Sequence, residues 1–351
     1  MNGPESRSRR RLLRLVALAS ILPPGLPAAE EDAGSRARAF ALEAEERILP
    51  RPSVRGDDED WFFLVKELRH LATGKFWEKP WEEVAANKTD PVNSIVEFKE
   101  MLAERGIDLL LVPVPAKASV YPDKLSSEFA PGDVQSLAPF LERIRKEGVS
   151  VLDLESKFLA ERRDGEDARL YCRQDAHFSP LAAERVAERV AAELGLAEGN
   201  GDGVFTVSEP TIVNIVGDQV VGSEWEDKVA TEPLRVRQVL ADGRPGVEPD
   251  DDSPVLLLGD SHALVFHEGR EAGMHCTGAG VFDHLSFRLG FSLALVGVRG
   301  SGLIQARKQL FYKAAGTRGF WDGKKAVVWI FSVREFTQST DRVVGIPLDR
   351  E

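Results

Sequence analysis

Two short segments of this 351-residue chain hold the residue types needed to activate an alcohol. The first is Gly259-Asp260-Ser261-His262, directly after the apolar run Val255 to Leu258. In an open parallel sheet, reactive side chains gather beyond the carboxyl ends of the strands, and Ser261 falls at such a place. A serine hydroxyl is a poor nucleophile until a base takes its proton, so this site needs a histidine from elsewhere. Taken alone, the same residues also describe a turn in which Asp260 or Ser261 caps the next helix.

The second segment is Gln174-Asp175-Ala176-His177-Phe178-Ser179-Pro180. On an extended backbone Asp175 and His177 point to the same side, where the carboxylate can orient the imidazole and favour its charged form. Taken alone, it is also a surface turn with a solvated histidine. Together the two segments supply a nucleophile, a base and an orienting acid, which is the set required for acyl transfer through a serine ester. The other histidines are weaker candidates: His262 and His267 lie near the serine but are read as lacking a carboxylate partner at short spacing, and His70, His275 and His284 are expected at surfaces or helix ends. No HExxH-type histidine pair is present, so no metal is assigned, although a histidine-based metal site stays open; no cofactor is expected.

The elements that must hold these residues alternate. A helix through Phe98, Met101 and Leu102 leads to the apolar run Leu109 to Val112, which suits a strand buried on both faces. A helix over Val134 to Glu147 precedes a strand over Val149 to Leu154. Ala182, Ala183, Val186, Ala187, Val190, Ala191 and Leu194 form a stripe at helical spacing, with Ser179 as N-cap and Pro180 as first residue. Further on come the strand Val255 to Leu258, a helix over Phe282 to Leu289, a strand over Ser292 to Val296, a helix over Leu303 to Ala314 and a strand over Ala326 to Ser332. Such alternation predicts an α/β fold with a parallel sheet flanked by helices. Residues 197–252 break the pattern with short β-rich pieces and read as a small inserted β element.

Outside this region, 1–29 run from arginines through an apolar stretch to small residues, the order of a secretory signal, with Ser8-Arg9-Arg10-Arg11 also resembling a twin-arginine signal. Residues 30–59 read as an N-terminal arm containing a helix from Ser35 to Leu49, and 60–346 as the catalytic domain. The formal charge of -12 opposes sequence-independent binding to nucleic acid. Cys172 and Cys276 are the two cysteines, either bridged in an oxidising compartment or separately buried. A basic run (Arg288, Arg299, Arg307, Lys308, Lys313, Arg318, Lys324, Lys325) could receive an anionic glycan or be a solvated face.

At Asp175, His177 and Ser261 the sequence resembles the SGNH hydrolase-like family of alginate O-acetyltransferases, the AlgJ/AlgX-like proteins. Further resemblance lies in Asp60-Trp61-Phe62-Phe63-Leu64, in Val112-Pro113-Val114-Pro115-Ala116-Lys117 with Tyr121-Pro122, and in Val328 to Glu335, so that it spans Asp60 to Phe336. The family often has tryptophan where Phe178 stands. The chain's end soon after Arg334 favours the AlgJ-like architecture, without a C-terminal carbohydrate-binding module. The resemblance implies a circularly permuted SGNH fold and exported O-acetyl transfer to an exopolysaccharide. In that role His177 would deprotonate Ser261, Asp175 would steady His177, and a membrane-bound O-acyltransferase partner would supply acetyl groups. An acetyl esterase with the same triad, or a non-catalytic export component, are the alternatives. Gly300 and Gly302 are candidates for an oxyanion site, beside the Ser261 N–H, and Lys117 and Arg334 for lining the pocket.

Overall fold

The computed structural model describes residues 28–163, 165, 168–196, 204–341 and 345–349. The expected leader lies outside them up to residue 27, and a helix begins at Ala28. At the centre is a five-stranded parallel sheet whose order, from edge to edge, is Ala294–Gly297, Val255–Gly259, Ala326–Ser332, Asp108–Val114 and Ser150–Val151.

Alternation along the strands explains why both faces are covered. Leu110, Val112, Leu257, Val328 and Ile330 share one cluster with Val186 and Val190 of the helix Pro180–Leu194 and with Leu285 of the helix Val281–Leu289. Leu109, Leu111, Leu256, Leu258, Val327, Trp329 and Phe331 face the other way, onto Phe98, Ile144 and Leu310. Successive residues of a strand point to opposite faces, so continuous apolar runs are what a sheet between two helical layers requires.

The predicted helices and strands appear with shifted ends, each for a local reason. The strand expected over Val149 to Leu154 shortens to Ser150–Val151, because Asp153 accepts a hydrogen bond from the Ser156 N–H at 3.1 Å and starts the helix Leu154–Glu161. The helix expected from Val134 starts at Ala138, with Pro139 as its second residue, whose fixed φ suits a first turn. Ser179 caps Pro180–Leu194 through the Ala182 N–H.

Residues 30–59, read as an arm, share the main core. Phe40 and Ala44 of the helix Ala28–Glu46 are fully buried, and the strand Ser53–Arg55 pairs antiparallel with Phe62–Leu64. The inserted β element forms two small antiparallel sheets, one pairing Thr211–Ile215 with Glu232–Val236 and the other joining Phe205–Val207, Val239–Ala241 and Arg244–Pro245.

Gly259, the last residue of its strand, lies so close to the next strand that a Cβ would sit 2.2 Å from the Ile330 carbonyl oxygen. Backbone cannot swing aside as a side-chain tip can. Gly259→Ala is therefore expected to destabilise the fold by about 3 kcal/mol or more, read from the urea midpoint. An unchanged midpoint would show that the strands are farther apart.

Candidate active site

Four parallel strands end at the same edge, and the segments that follow them converge there. Ser261 follows Val255–Gly259, Lys117 follows Asp108–Val114, Arg334 follows Ala326–Ser332, and Gly300 and Gly302 follow Ala294–Gly297. The fifth contribution, Asp175 to His177, comes from the segment just before the helix Pro180–Leu194.

The structure brings Ser261, His177 and Asp175 into one chain of hydrogen bonds. His177 Nε2 lies 2.7 Å from Ser261 Oγ, and His177 Nδ1 lies 2.5 Å from Asp175 Oδ1. All three residues are buried. The backbone between Asp175 and His177 is not extended as expected: it bends, and Asp175 Oδ1 also accepts the His177 backbone N–H at 3.0 Å. One carboxylate oxygen thus fixes both the main chain and the ring of the histidine.

Burial opposes charge on each member, yet the pair keeps it. Burial alone would lower the His177 pKa, but the Asp175 carboxylate outweighs this and raises it to about 9. Burial alone would likewise raise Asp175, and the His177 charge with hydrogen bonds from His177 and His275 holds it well below the usual carboxylate range.

The other oxygen of Asp175 has its own partners. Oδ2 accepts the Asp218 N–H at 2.9 Å and faces His275 Nε2 at 2.8 Å. His275 therefore does not belong at a surface, and neither does His284, which is buried inside its helix. Asp218 in turn accepts the Ala176 N–H at 2.8 Å and stands 4.0 Å from His177 Nδ1. Asp175, His177 and Asp218 are the one group among the described residues compact enough to ligate a metal, their atoms lying within 4.8 Å of one another. Both ring nitrogens of His177 and both oxygens of Asp175 are committed to hydrogen bonds, an arrangement suited to moving a proton.

A second aspartate and histidine shape the nucleophile turn. Asp260 Oδ1 accepts from His262 N and faces His262 Nδ1, both at 2.9 Å, and Oδ2 accepts the Ser332 N–H at 2.8 Å, tying the turn to the adjacent strand. Asp260 caps the short turn Ser261–Ala263, and this cap leaves the Ser261 hydroxyl to His177. Burial alone would raise Asp260, but His262 and Arg334 hold it far down. Burial lowers His262, whose ring packs 4.9 Å from His177 and 5.0 Å from Phe178. The expectation that His262 lacks a carboxylate partner at short spacing is thus corrected: Asp260, two residues before it, is that partner, in the same Asp-x-His spacing as Asp175 and His177.

The remaining candidates divide. Lys117 is fully buried, and its Nζ donates to the carbonyls of Arg173 and Asp175, both at 2.9 Å. It holds the acid segment from behind. Arg334 is buried with its nearest carboxylate, Glu67, at 3.9 Å. Glu67 joins the two, accepting the Lys117 backbone N–H at 3.1 Å. Gly302 packs against Asp260, where a Cβ would lie 2.9 Å from the Asp260 Cβ, whereas Gly300 is exposed.

The insertion supplies residues that sequence alone did not single out. Glu232, fully buried, accepts the backbone N–H groups of Arg173 at 2.8 Å and Gln174 at 2.9 Å. A Cβ on Gly217 would lie 2.1 Å from the Gln174 carbonyl oxygen, so only glycine lets this loop seat on the acid segment. The basic run instead breaks up: Lys308 pairs with Asp341, Lys313 with Asp251, Arg299 with Glu268, and Arg307 donates to the Ile346 carbonyl. Cys172 is buried, Cys276 half-buried, and both are free thiols.

A family model described as SGNH hydrolase-like domain, acetyltransferase AlgX, matches residues 54–267, more than half of the chain. The Pseudomonas aeruginosa protein named probable alginate O-acetylase AlgJ is 31% identical over 145 residues, covering 41% of this chain and 34% of that one. Its Azotobacter vinelandii namesake is 23% identical over 226 residues, covering 61% of this chain and 55% of that one. The chain thus spans about a third to a half of the curated relatives it matches. Among solved structures, the O-acetyltransferase domain of Pseudomonas putida AlgJ superposes with a TM-score of 0.60 at 23% identity, covering 84% of this chain and 95% of that chain. Pseudomonas aeruginosa AlgX does so with a TM-score of 0.56 at 18% identity, covering 85% and 66%. These likenesses establish an SGNH-like fold.

Lys117→Met keeps the volume but leaves two buried carbonyls without their donor. It is expected to cost about 2 kcal/mol in urea unfolding. Unchanged stability would show that Lys117 does not brace the segment.

Proposed function

Since the chain belongs to the AlgX-type family of SGNH hydrolase-like acetyltransferase domains, we propose that it is a serine-dependent O-acetyltransferase acting on an exopolysaccharide. The observation that carries this reading is the unbroken hydrogen-bonded line from Asp175 through His177 to Ser261. Alginate is the polymer named for its curated relatives.

In the first half-reaction, His177 takes the Ser261 proton while Oγ attacks the acetyl carbonyl of a donor ester. The tetrahedral intermediate collapses, the donor oxygen leaves with the proton from His177, and acetyl-Ser261 remains. In the second half-reaction, a sugar hydroxyl gives its proton to His177 and attacks the serine ester, and Ser261 departs carrying that proton. Asp175 keeps its charge throughout and stabilises the imidazolium formed in each half. The Ser261 N–H begins a helical turn and has no partner within it, which suits it to receive the oxyanion, with the buried Gly302, packed on Asp260, as the candidate second donor.

The acceptor is a polysaccharide and the donor side a membrane-bound O-acyltransferase. Export by the arginine-rich leader would bring the domain to both. No helix among the described residues is long and apolar enough to cross a membrane.

Two outcomes test the reading. With a p-nitrophenyl acetate reporter and an oligosaccharide acceptor, acetyl should appear on the sugar, and Ser261→Ala should lower the rate by at least about a thousandfold; equal rates in mutant and wild type would end it. Acetyl going to water alone would make the protein an esterase. Because neutral His177 is the base, the rate should climb about tenfold per pH unit below its pKa and level off above about 9. A rate independent of pH from 6 to 10 would contradict a titrating imidazole base, an expectation set at about those limits.

A further inference from the structure

We propose that His275 is a positioning residue of the triad, which donates its Nε2–H to Asp175 Oδ2 and so holds Oδ1 on His177. This inference rests on the proposed acetyl transfer through Ser261.

Three observations lead to it. His275 Nε2 is 2.8 Å from Asp175 Oδ2, and because the acceptor is a carboxylate, the proton must lie on that nitrogen. Second, His275 adopts a φ of +69°, a left-handed conformation that costs a side-chain-bearing residue energy and persists where surroundings enforce it. Phe266, whose ring lies 5.6 Å from that of His275, has a φ of +61°. Third, the loop carrying His275 is clamped on both sides. Phe266 N–H donates to Met274 O at 3.0 Å, Val239 N–H to Gly278 O at 2.6 Å, and Gln238 Nε2 to Thr277 O at 2.8 Å. Each contact fixes where the imidazole can reach.

The consequence lies in how Asp175 shares its charge. With Oδ2 held by His275 and the Asp218 N–H, the carboxylate cannot rotate, and only Oδ1 serves His177. Loss of the His275 donor removes one of the two restraints on Oδ2 and leaves more uncompensated negative charge beside His177, so the imidazolium becomes harder to deprotonate. The charged and titratable groups around that imidazole are Asp175 and Asp218, Asp260 and His262 of the nucleophile turn, and Glu67 behind the acid segment.

The test uses the full chain with the ester reporter. His275→Phe should lower kcat on the order of tenfold to a hundredfold with KM nearly unchanged, and move the rising limb of the pH profile to higher pH. His275→Gln, which keeps a donor near the Nε2 position and shares the same backbone strain, should restore most of kcat and the original limb. A folded His275→Phe variant with wild-type rate and profile would overturn the assignment. Should that variant fail to fold, a 15N spectrum of histidine-labelled wild type decides: Nε2 of His275 protonated at every pH at which the enzyme works supports the role, and a bare Nε2 refutes it. Ser261→Ala run in parallel separates the two claims. If it stays active, the acetyl-transfer reading fails; if it is dead while His275→Phe is normal, only the role of His275 fails.

Discussion

A buried carboxylate is costly unless donors surround it, and the candidate site is organised around meeting that cost at Asp175. Its two oxygens face the His177 N–H and Nδ1, the Asp218 N–H and His275 Nε2. With its charge thus compensated, Asp175 can remain ionised in the interior and draw a proton toward His177. Remove the donors, and the same aspartate would take up a proton itself and cease to steer the imidazole.

Most of those donors come from outside the parallel sheet. The sheet positions Ser261, because Asp260 ties the nucleophile turn to the next strand through Ser332. The acid segment has no strand of its own. It is held by Glu232 and Gly217 of the insertion on one side and by Lys117 on the other. The loop bearing His275 is itself fastened to the insertion at Val239 and Gln238. An element that looks like an ornament on the fold is a structural wall of the site.

This division explains what could be read from sequence. Continuous apolar runs such as Leu109 to Val112 can satisfy their backbone only inside a sheet, so the layers were legible from pattern alone. Ser261, His177 and Asp175 stood out because each lies at a junction where chain direction and residue type together suggest chemistry. Nothing local marks Gly217, Glu232 or His275, whose roles depend on partners 42 or more positions distant, as Gly217 with Asp175 shows. Of the two readings of the basic run, the anionic-glycan patch loses support for the same reason: Lys313 finds Asp251, and Lys308 finds Asp341, across the fold. Charges close in sequence do not make a patch when each finds a carboxylate distant in sequence.

The central claim is that the Asp175, His177 and Ser261 line makes the Ser261 oxygen a nucleophile. Peptide mapping by mass spectrometry after brief exposure to an acetyl ester reads this directly. One acetyl group on the Ser261 peptide, discharged when oligosaccharide is added and absent in His177→Ala, is the predicted result. Acetylation confined to lysines, or equal labelling of Ser261 without the imidazole, would contradict it.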